Sequence, residues 1–458
     1  MPGKKVVSSF RDPSGFVFER DNILYRQVNK VYKDDFDLLM NSGLYNKLVE
    51  KGLLIRHSRV DVPAFDPGES YCIILPEKVG FISYPYEWCF SQIKDAARAT
   101  LAIQKTAMDF GMSLKDCSAY NIQFHQARPV LIDTLSFKKY VPGQPWVAYR
   151  QFCQHFIAPL ALMALKDVRL NQLLRVYLDG IPLDLAARLL PLRAYLFPHI
   201  HLHALSQHLF RNRQVRQTDC RIDKLSLLGL IDNLDAAVKR LRWNPRGTEW
   251  ADYYDTIGYS SEAFEHKKKT VSGFLDGIKP VNGWDLGSNT GVFSRIAADK
   301  GINMVCFDND PAAVEKNYMD CVSANRNNIL PLVEDLTNPS PATGWLHDER
   351  CSFMQRGPVD VALALALIHH LAISANLNFD MIAEFMKKIS RFLIIEFVPK
   401  NDPQVKRLLA AREDIFSGYN RSGFEDSFSR HFLIRDSVEL RDSERVMYLM
   451  ENRGTADG

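Results

Sequence analysis

The stretch Trp284-Asp285-Leu286-Gly287-Ser288-Asn289-Thr290-Gly291 constrains this chain more than any other. An apolar run enters a tight turn carrying two glycines, and FSRIAADKG continues as a helix. Glycines are required where a ligand must approach bare peptide or where the backbone needs positive φ. The next apolar run, INMVCFDND, ends in Asp308, placed as an acid must be to accept two ribose hydroxyls. From Asn282 onward short buried-type strands alternate with helices, the pattern of an α/β domain with a mainly parallel sheet.

A glycine turn followed by an acid at a strand end also describes a nicotinamide or flavin dehydrogenase. The dehydrogenase fingerprint, however, is GxGxxG and presents a pyrophosphate to a helix N-terminus. Here the order is Asp285-x-Gly287-x-x-x-Gly291. An acid ahead of the first glycine suits a cationic methionine moiety, which points to a sulfonium nucleoside.

These residues resemble the class I S-adenosylmethionine-dependent methyltransferase family, except that Asn289 stands at the family's middle glycine. The resemblance implies a Rossmann-like seven-stranded sheet with Asp285, Gly287, Ser288, Asn289, Gly291 and Asp308 around the cofactor. It also implies that Asp335, in VEDL, contacts the adenine amino group. PVDVALALALIHHL and RFLIIEFVPK follow as the fourth and fifth strands, and HFLIRDSVEL and RVMYLMENR as a terminal antiparallel pair. Upstream, WADYYDTIGY is expected to fold over the cofactor, with Tyr253, Tyr254 and Tyr259 as lid candidates.

For the chemistry, His369 and His370 follow the fourth strand at the ligand-holding edge, where an imidazole can take a proton from a hydroxyl acceptor. Glu396 ends the fifth strand at the same edge and is a candidate to orient substrate. The tetrapeptide of enzymes that methylate amide or ring nitrogens is absent, which favours an oxygen or carbon acceptor. The expected partner is a small molecule or glycan, and a protein acceptor stays open.

At 458 residues the chain exceeds one hydrophobic core, so at least two domains are expected. A net charge of +3 argues against nucleic-acid binding through bulk electrostatics. The eight cysteines form no CxxC pair, which argues against a disulfide framework or a structural zinc site. The N-terminal sequence has no signal-peptide core, and no apolar run approaches a membrane span, so cytoplasmic residence is the expectation.

The first half has its own constellation. Strand-like runs VVSSF, GFVFER, NILYRQV, YCIILPEKV and GFISYPYEW are interrupted by a helical stretch at Asp34 to Lys51, and helical spacing follows from Glu87. Asp116 and Asn121 then have the spacing of a kinase catalytic loop, and Asp133 stands where a second metal-binding carboxylate belongs. This stretch resembles the protein-kinase-like fold, which implies an α+β domain and Mg-ATP as a second ligand. The departures are several: Leu-Lys precedes Asp116, Thr-Leu follows Asp133, and Arg26, with Glu50 as its candidate partner, replaces the phosphate-gripping lysine. Phosphotransfer, nucleotide sensing by a non-catalytic scaffold, and a purely structural role all stay open for this half.

Two clusters have ordinary explanations. His199, His201 and His203 read as surface or cap histidines, and His266 to Lys269 as a solvated face of a helix whose apolar side carries Phe264, Val271 and Phe274. Across its length the chain resembles bacterial nodulation-protein-like methyltransferases in segments such as SYPYEWCFSQIKDA and LKDCSAYNIQF. The expected organisation is a kinase-like domain with a helical extension over 1–245 and a class I methyltransferase domain over 246–458.

Overall fold

The computed structural model describes residues 3–191, 222–245, 261–410 and 412–454. Tyr253, Tyr254, Tyr259 and the three histidines at 199, 201 and 203 lie outside the described residues. The chain divides into two compact units, Met1–Asn244 with Thr343–Arg350, and Pro245–Ala342 with Cys351–Gly458.

The first unit opens on a five-stranded sheet in the order β1 (Lys4–Lys5), β2 (Gly15–Arg20), β3 (Ile23–Asn29), β5 (Ser70–Pro76), β4 (His57–Val60). Two runs expected as strands are not: VVSSF turns after β1, and GFISYPYEW is extended loop closing in a 3-10 turn at Pro85–Glu87. Their aromatic and β-branched content reflects burial instead, since Tyr84, Tyr86 and Trp88 are all core residues. β4 went unexpected because His57–Val60 shows no run of strand-favouring residues. The helix expected over Asp34 to Lys51 is two, α1 (Lys33–Asn41) and α2 (Leu44–Glu50). They are broken at Gly43, whose φ of 89° lies in the left-handed region. The long α3 (Phe90–Asp109) is followed by β6 (Met112–Leu114), the hairpin β7 (Ile122–His125) and β8 (Arg128–Leu131), β9 (Phe137–Lys139), α4 (Ala158–Leu165) and α5 (Lys224–Arg240).

The second unit is a three-layer α/β sandwich. Helix α6 (Ser261–Ile278) precedes β10 (Asn282–Leu286); α7 (Val292–Ala298), β11 (Asn303–Asp308), α8 (Pro311–Ser323) and β12 (Ile329–Val333) follow. After β13 (Val359–Ala364) come α9 (Phe379–Ile389), β14 (Ser390–Phe397), β15 (Phe432–Glu439) and β16 (Val446–Asn452). The seven strands lie in the order β12-β11-β10-β13-β14-β16-β15. The first five are mutually parallel and β16 pairs antiparallel to both β14 and β15.

Central strands buried on both faces need continuous apolar runs, as WDL, MVCF, ALA and LIIEF supply. Pro331 is tolerated because β12 is the edge. On one face Val271, Phe274 and Leu275 of α6 pack with Phe293, Ala297 and Met447; on the other the rings of Trp284, Phe307 and Phe353 meet at 4.8 to 5.3 Å. The strand order reverses between β10 and β13, and open α/β sheets hold ligands outside the carboxyl ends of the strands at such a switch point.

Candidate functional site

At that switch point lies a cavity of about 390 Å³, within the range of small-molecule sites. Its floor is the turn after β10. Gly287 and Gly291 have φ of 72° and 79°, and Asn289, at 50°, adopts the left-handed region that asparagine tolerates best after glycine. This is the physical reason the chain can depart from glycine there. Asn289 also caps the turn, its Oδ1 accepting from the Thr290 amide at 2.7 Å. Gly291 does not line the cavity; a Cβ there would lie 2.5 Å from the Asn317 side chain, so its glycine serves helix packing.

Asp285, Gly287, Ser288, Asn289, Asp308 and Asp335 all line the cavity. Asp308 ends β11 and accepts from the Asn289 amide at 2.7 Å and the Asp310 amide at 2.9 Å. Asp285 accepts from the Ser294 hydroxyl. Burial pushes both carboxyls up to about 6; the Asp308 charge adds to the rise at Asp285 and the Asp310 charge to that at Asp308, while hydrogen bonds oppose it in both. Asp335 accepts from the Thr337 amide and hydroxyl at 2.9 and 2.6 Å, while its buried neighbour Glu334 holds Ser340. The Ser288 hydroxyl is buried without a hydrogen-bond partner. Orphaned polar atoms of this kind mark a place where a ligand atom completes the pairing. A concave site with a bare turn, two destabilised carboxyls and an orphaned hydroxyl fits a cationic nucleoside.

The catalytic candidates separate. His370 lines the cavity, whereas His369 does not: it is fully buried, with neither ring nitrogen hydrogen-bonded and its ring 4.2 Å from that of His370. Burial holds the His369 imidazole well below its usual range, so it is neutral. Glu396 is likewise fully buried and absent from the cavity wall. Its carboxylate accepts from Lys267 Nζ at 2.6 Å, from the Ala366 amide at 2.7 Å and from Arg445 at 3.3 Å. Arg445 in turn donates to Asp402 at 2.7 Å. The solvated-face reading of the basic run in α6 fails at Lys267, which is 3% exposed and lines the cavity. The signal was present in the spacing, since Phe264, Lys267, Val271 and Phe274 form a single buried-side stripe at helical intervals. Also unforeseen in the wall are Glu334, Leu371 and Ser374.

In the first unit, the Asp133 carboxylate is engaged by protein groups. It forms an ion pair with Arg26 at 2.5 Å and accepts from the Ser136 hydroxyl at 2.7 Å and the Leu135 amide at 3.0 Å. Asp116 caps a local turn through the Ser118 amide, and Asn121 reaches Ser136 at 3.5 Å. Glu50 lies with Lys47, not with Arg26. Among the described residues no group of three His, Cys, Asp or Glu side chains is arranged to hold a metal ion. Nothing in this half adds support to the expectation of Mg-ATP, since Asp133 is engaged by Arg26 and by the Ser136 and Leu135 donors. No helix among the described residues is long and apolar enough to cross a membrane.

No family model matches the chain. The nodulation protein NoeA of Rhizobium meliloti (strain 1021) is 32% identical over 462 residues, covering 98% of this chain and 96% of NoeA. Among solved structures, the magnesium protoporphyrin IX methyltransferase ChlM from Synechocystis PCC 6803 with bound SAH is 16% identical, covering 44% of this chain and 97% of its own at a TM-score of 0.30. The N-methyltransferase NodS from Bradyrhizobium japonicum WM9 is 12% identical, covering 42% and 98% at 0.31. The bifunctional kinase-methyltransferase WbdD is 16% identical, covering 47% and 45% at 0.30. Likenesses this distant leave the functional reading to the geometry of the cavity.

Proposed function

The chain belongs to the family of the nodulation protein NoeA, and from that premise we propose that it is an S-adenosylmethionine-dependent methyltransferase acting on an oxygen or carbon atom of a small molecule or glycan. The observation that carries this reading is the pairing of two buried carboxyls, Asp285 and Asp308, on either side of a glycine turn that lines the switch-point cavity.

When bound, S-adenosylmethionine supplies an electrophilic methyl group on a sulfonium. The chain's own residues then have separable tasks. Asp285 faces the cationic amino-acid end. Asp308 uses the lone pairs left after its backbone bonds to accept the ribose hydroxyls. Asp335 and the Leu336-Thr337 segment border the base. Phe264, Leu365, Leu367 and Leu371 keep the wall apolar and exclude water, so that alignment of the acceptor does most of the work. His370 takes the proton of a hydroxyl acceptor. Glu396 acts at one remove, by fixing the Ala366 amide and hence the cavity wall after β13.

The first unit is a kinase-like scaffold whose metal position is closed by Arg26. Support comes from the five-stranded sheet, the β7-β8 hairpin between Asn121 and Asp133, and the buried Arg26–Asp133 pair. Calorimetry tests the main reading: wild type gives heat with S-adenosylmethionine and Asp285→Ala gives little, and heat with Mg-ATP alone would overturn it. Transfer of labelled methyl into a cell extract then identifies the acceptor.

A further inference from the structure

We infer that Arg445 and Asp402 are positioning residues: acting through Glu396, they hold Ala366 in a strained backbone conformation and so fix the cavity wall that carries His370. What that wall does for a bound cofactor rests on the methyltransferase reading above, whereas the restraint itself does not.

Ala366 stands two residues beyond β13 at φ 51°, in the left-handed region that a residue with a Cβ rarely adopts. Such outliers persist where the surroundings over-determine them. Here the Ala366 amide donates to Glu396 Oε2 at 2.7 Å. The segment that turns at this point builds one side of the cavity, since Leu365, Ala366 and Leu367 all line it. A Cβ on Gly287 would lie 3.3 Å from Leu367 Cδ1, so Leu367 rests against the bare turn. The Leu367 carbonyl accepts from the His370 amide at 3.0 Å, which ties His370 to the same segment. If Ala366 relaxed, Leu367 would leave the turn and His370 would move with it.

A glutamate side chain holds an amide still only if its own rotamers are fixed. In Glu396 both oxygens are engaged: Oε2 also accepts from Lys267 Nζ at 2.6 Å, and Oε1 accepts from Arg445 at 3.3 Å. Arg445 donates in turn to Asp402 at 2.7 Å, and Asp402 caps the short helix Pro403–Leu409 by accepting from the Gln404 amide at 2.8 Å. The row therefore alternates in sign from Lys267 to Asp402, and Lys267, Glu396 and Arg445 are 3%, 0% and 4% exposed. Stability does not require it, because apolar replacements of buried ion pairs are often neutral or stabilising. An apolar set, however, would offer the Ala366 amide no acceptor.

The test turns on Ala366→Gly, which removes the Cβ that makes the conformation costly and so makes the restraint dispensable. By calorimetry with S-adenosylhomocysteine, Arg445→Met weakens binding about 10-fold, the scale of one left-handed residue set free. The same substitution made on top of Ala366→Gly weakens it by no more than about twofold. Arg445→Met/Asp402→Leu leaves no orphaned acid at the outer end of the row and guards against misfolding; it shows the same contrast between the two backgrounds. Hydrogen exchange reads the restraint without a ligand: the Ala366 amide exchanges about 10-fold faster in Arg445→Met, while the amides of β13 keep their wild-type rates. Affinity lost equally in both backgrounds, or an Ala366 amide that exchanges at the wild-type rate, overturns the inference. Folded wild type that binds no S-adenosylhomocysteine sinks the methyltransferase reading, and the exchange rates then decide the restraint.

Discussion

The amide of Asn289 donates to the carboxylate of Asp308 across 2.7 Å, so the glycine turn after one strand is fastened to the tip of the next. That bond sets the depth of the cavity floor. Because Asn289 sits at φ 50°, Asn289→Gly keeps both the backbone donor and the conformation, whereas Asn289→Val is strained by about 1–2 kcal/mol. Cofactor affinity measured by calorimetry should stay within about threefold for the glycine variant and fall for valine. Asp308→Ala, which removes the acceptor for the turn and for the ribose, should lower it about 100-fold.

Gly291 and Asn317 make a separate claim, about stability. The Cβ of an alanine at 291 would lie 2.5 Å from both terminal atoms of the fully buried Asn317 side chain, at a φ of 79°. Gly291→Ala should cost about 2–4 kcal/mol in urea unfolding, part clash and part backbone strain. Asn317→Ala in the same chain relieves the clash and leaves the strain, so the double variant should recover about half. A Gly291→Ala protein as stable as wild type would show that the turn relaxes freely.

What could be read beforehand follows from which forces act locally. The second unit's sheet was legible because each strand is a continuous apolar run and each turn carries glycine or an acid, so local preference and tertiary role agree. The first unit was harder, since VVSSF and GFISYPYEW look like strands yet are held by burial of Tyr84, Tyr86 and Trp88 rather than by a ladder. Lys267 and Glu396 lie 129 residues apart, and no local pattern reveals that a strand-end acid will meet a helix lysine in the interior. Arg26 and Asp133 are the same case: they are far apart in the sequence, and only the fold shows that they pair.

Stability and binding should respond to pH in opposite directions. The Asp285 and Asp308 carboxyls titrate near 6 in the ligand-free fold, above the unfolded value of 3.8. The folded state therefore binds more protons between those pH values. Its advantage from these two groups is fully present below about 3.8 and is lost as pH rises through about 6. A cationic ligand prefers the ionised pair, so its affinity should rise with pH up to about 6 and then level off. Thermal unfolding of the ligand-free chain from pH 4 to 7, with Asp285→Asn/Asp308→Asn subtracted as reference, isolates the first effect, and calorimetry at the same pH values the second. A difference curve flat across that range would contradict the burial of both acids.

Arg26 and Asp133 predict silence where a kinase would respond. Both side chains are largely buried, so removing the guanidinium strands a carboxylate, and Arg26→Met should lower stability by about 3 kcal/mol. Arg26→Met/Asp133→Leu should recover most of that loss. Mg-ATP should give no heat with wild type. Heat with Mg-ATP that disappears in Asp133→Ala would reopen the phosphotransferase reading of the first unit.

His369 and His370 are adjacent in sequence and opposite in consequence. His369 has no hydrogen bond to lose and is held neutral by burial, so His369→Leu should be neutral or slightly stabilising and leave cofactor affinity unchanged. His370 alone of the two faces the cavity. If it takes the acceptor's proton, His370→Ala should lower kcat about 100-fold once the acceptor is in hand, with S-adenosylhomocysteine affinity within about twofold of wild type. Equal kcat in the two variants would remove both imidazoles from the chemistry and favour a carbon acceptor that gives up its proton to another group.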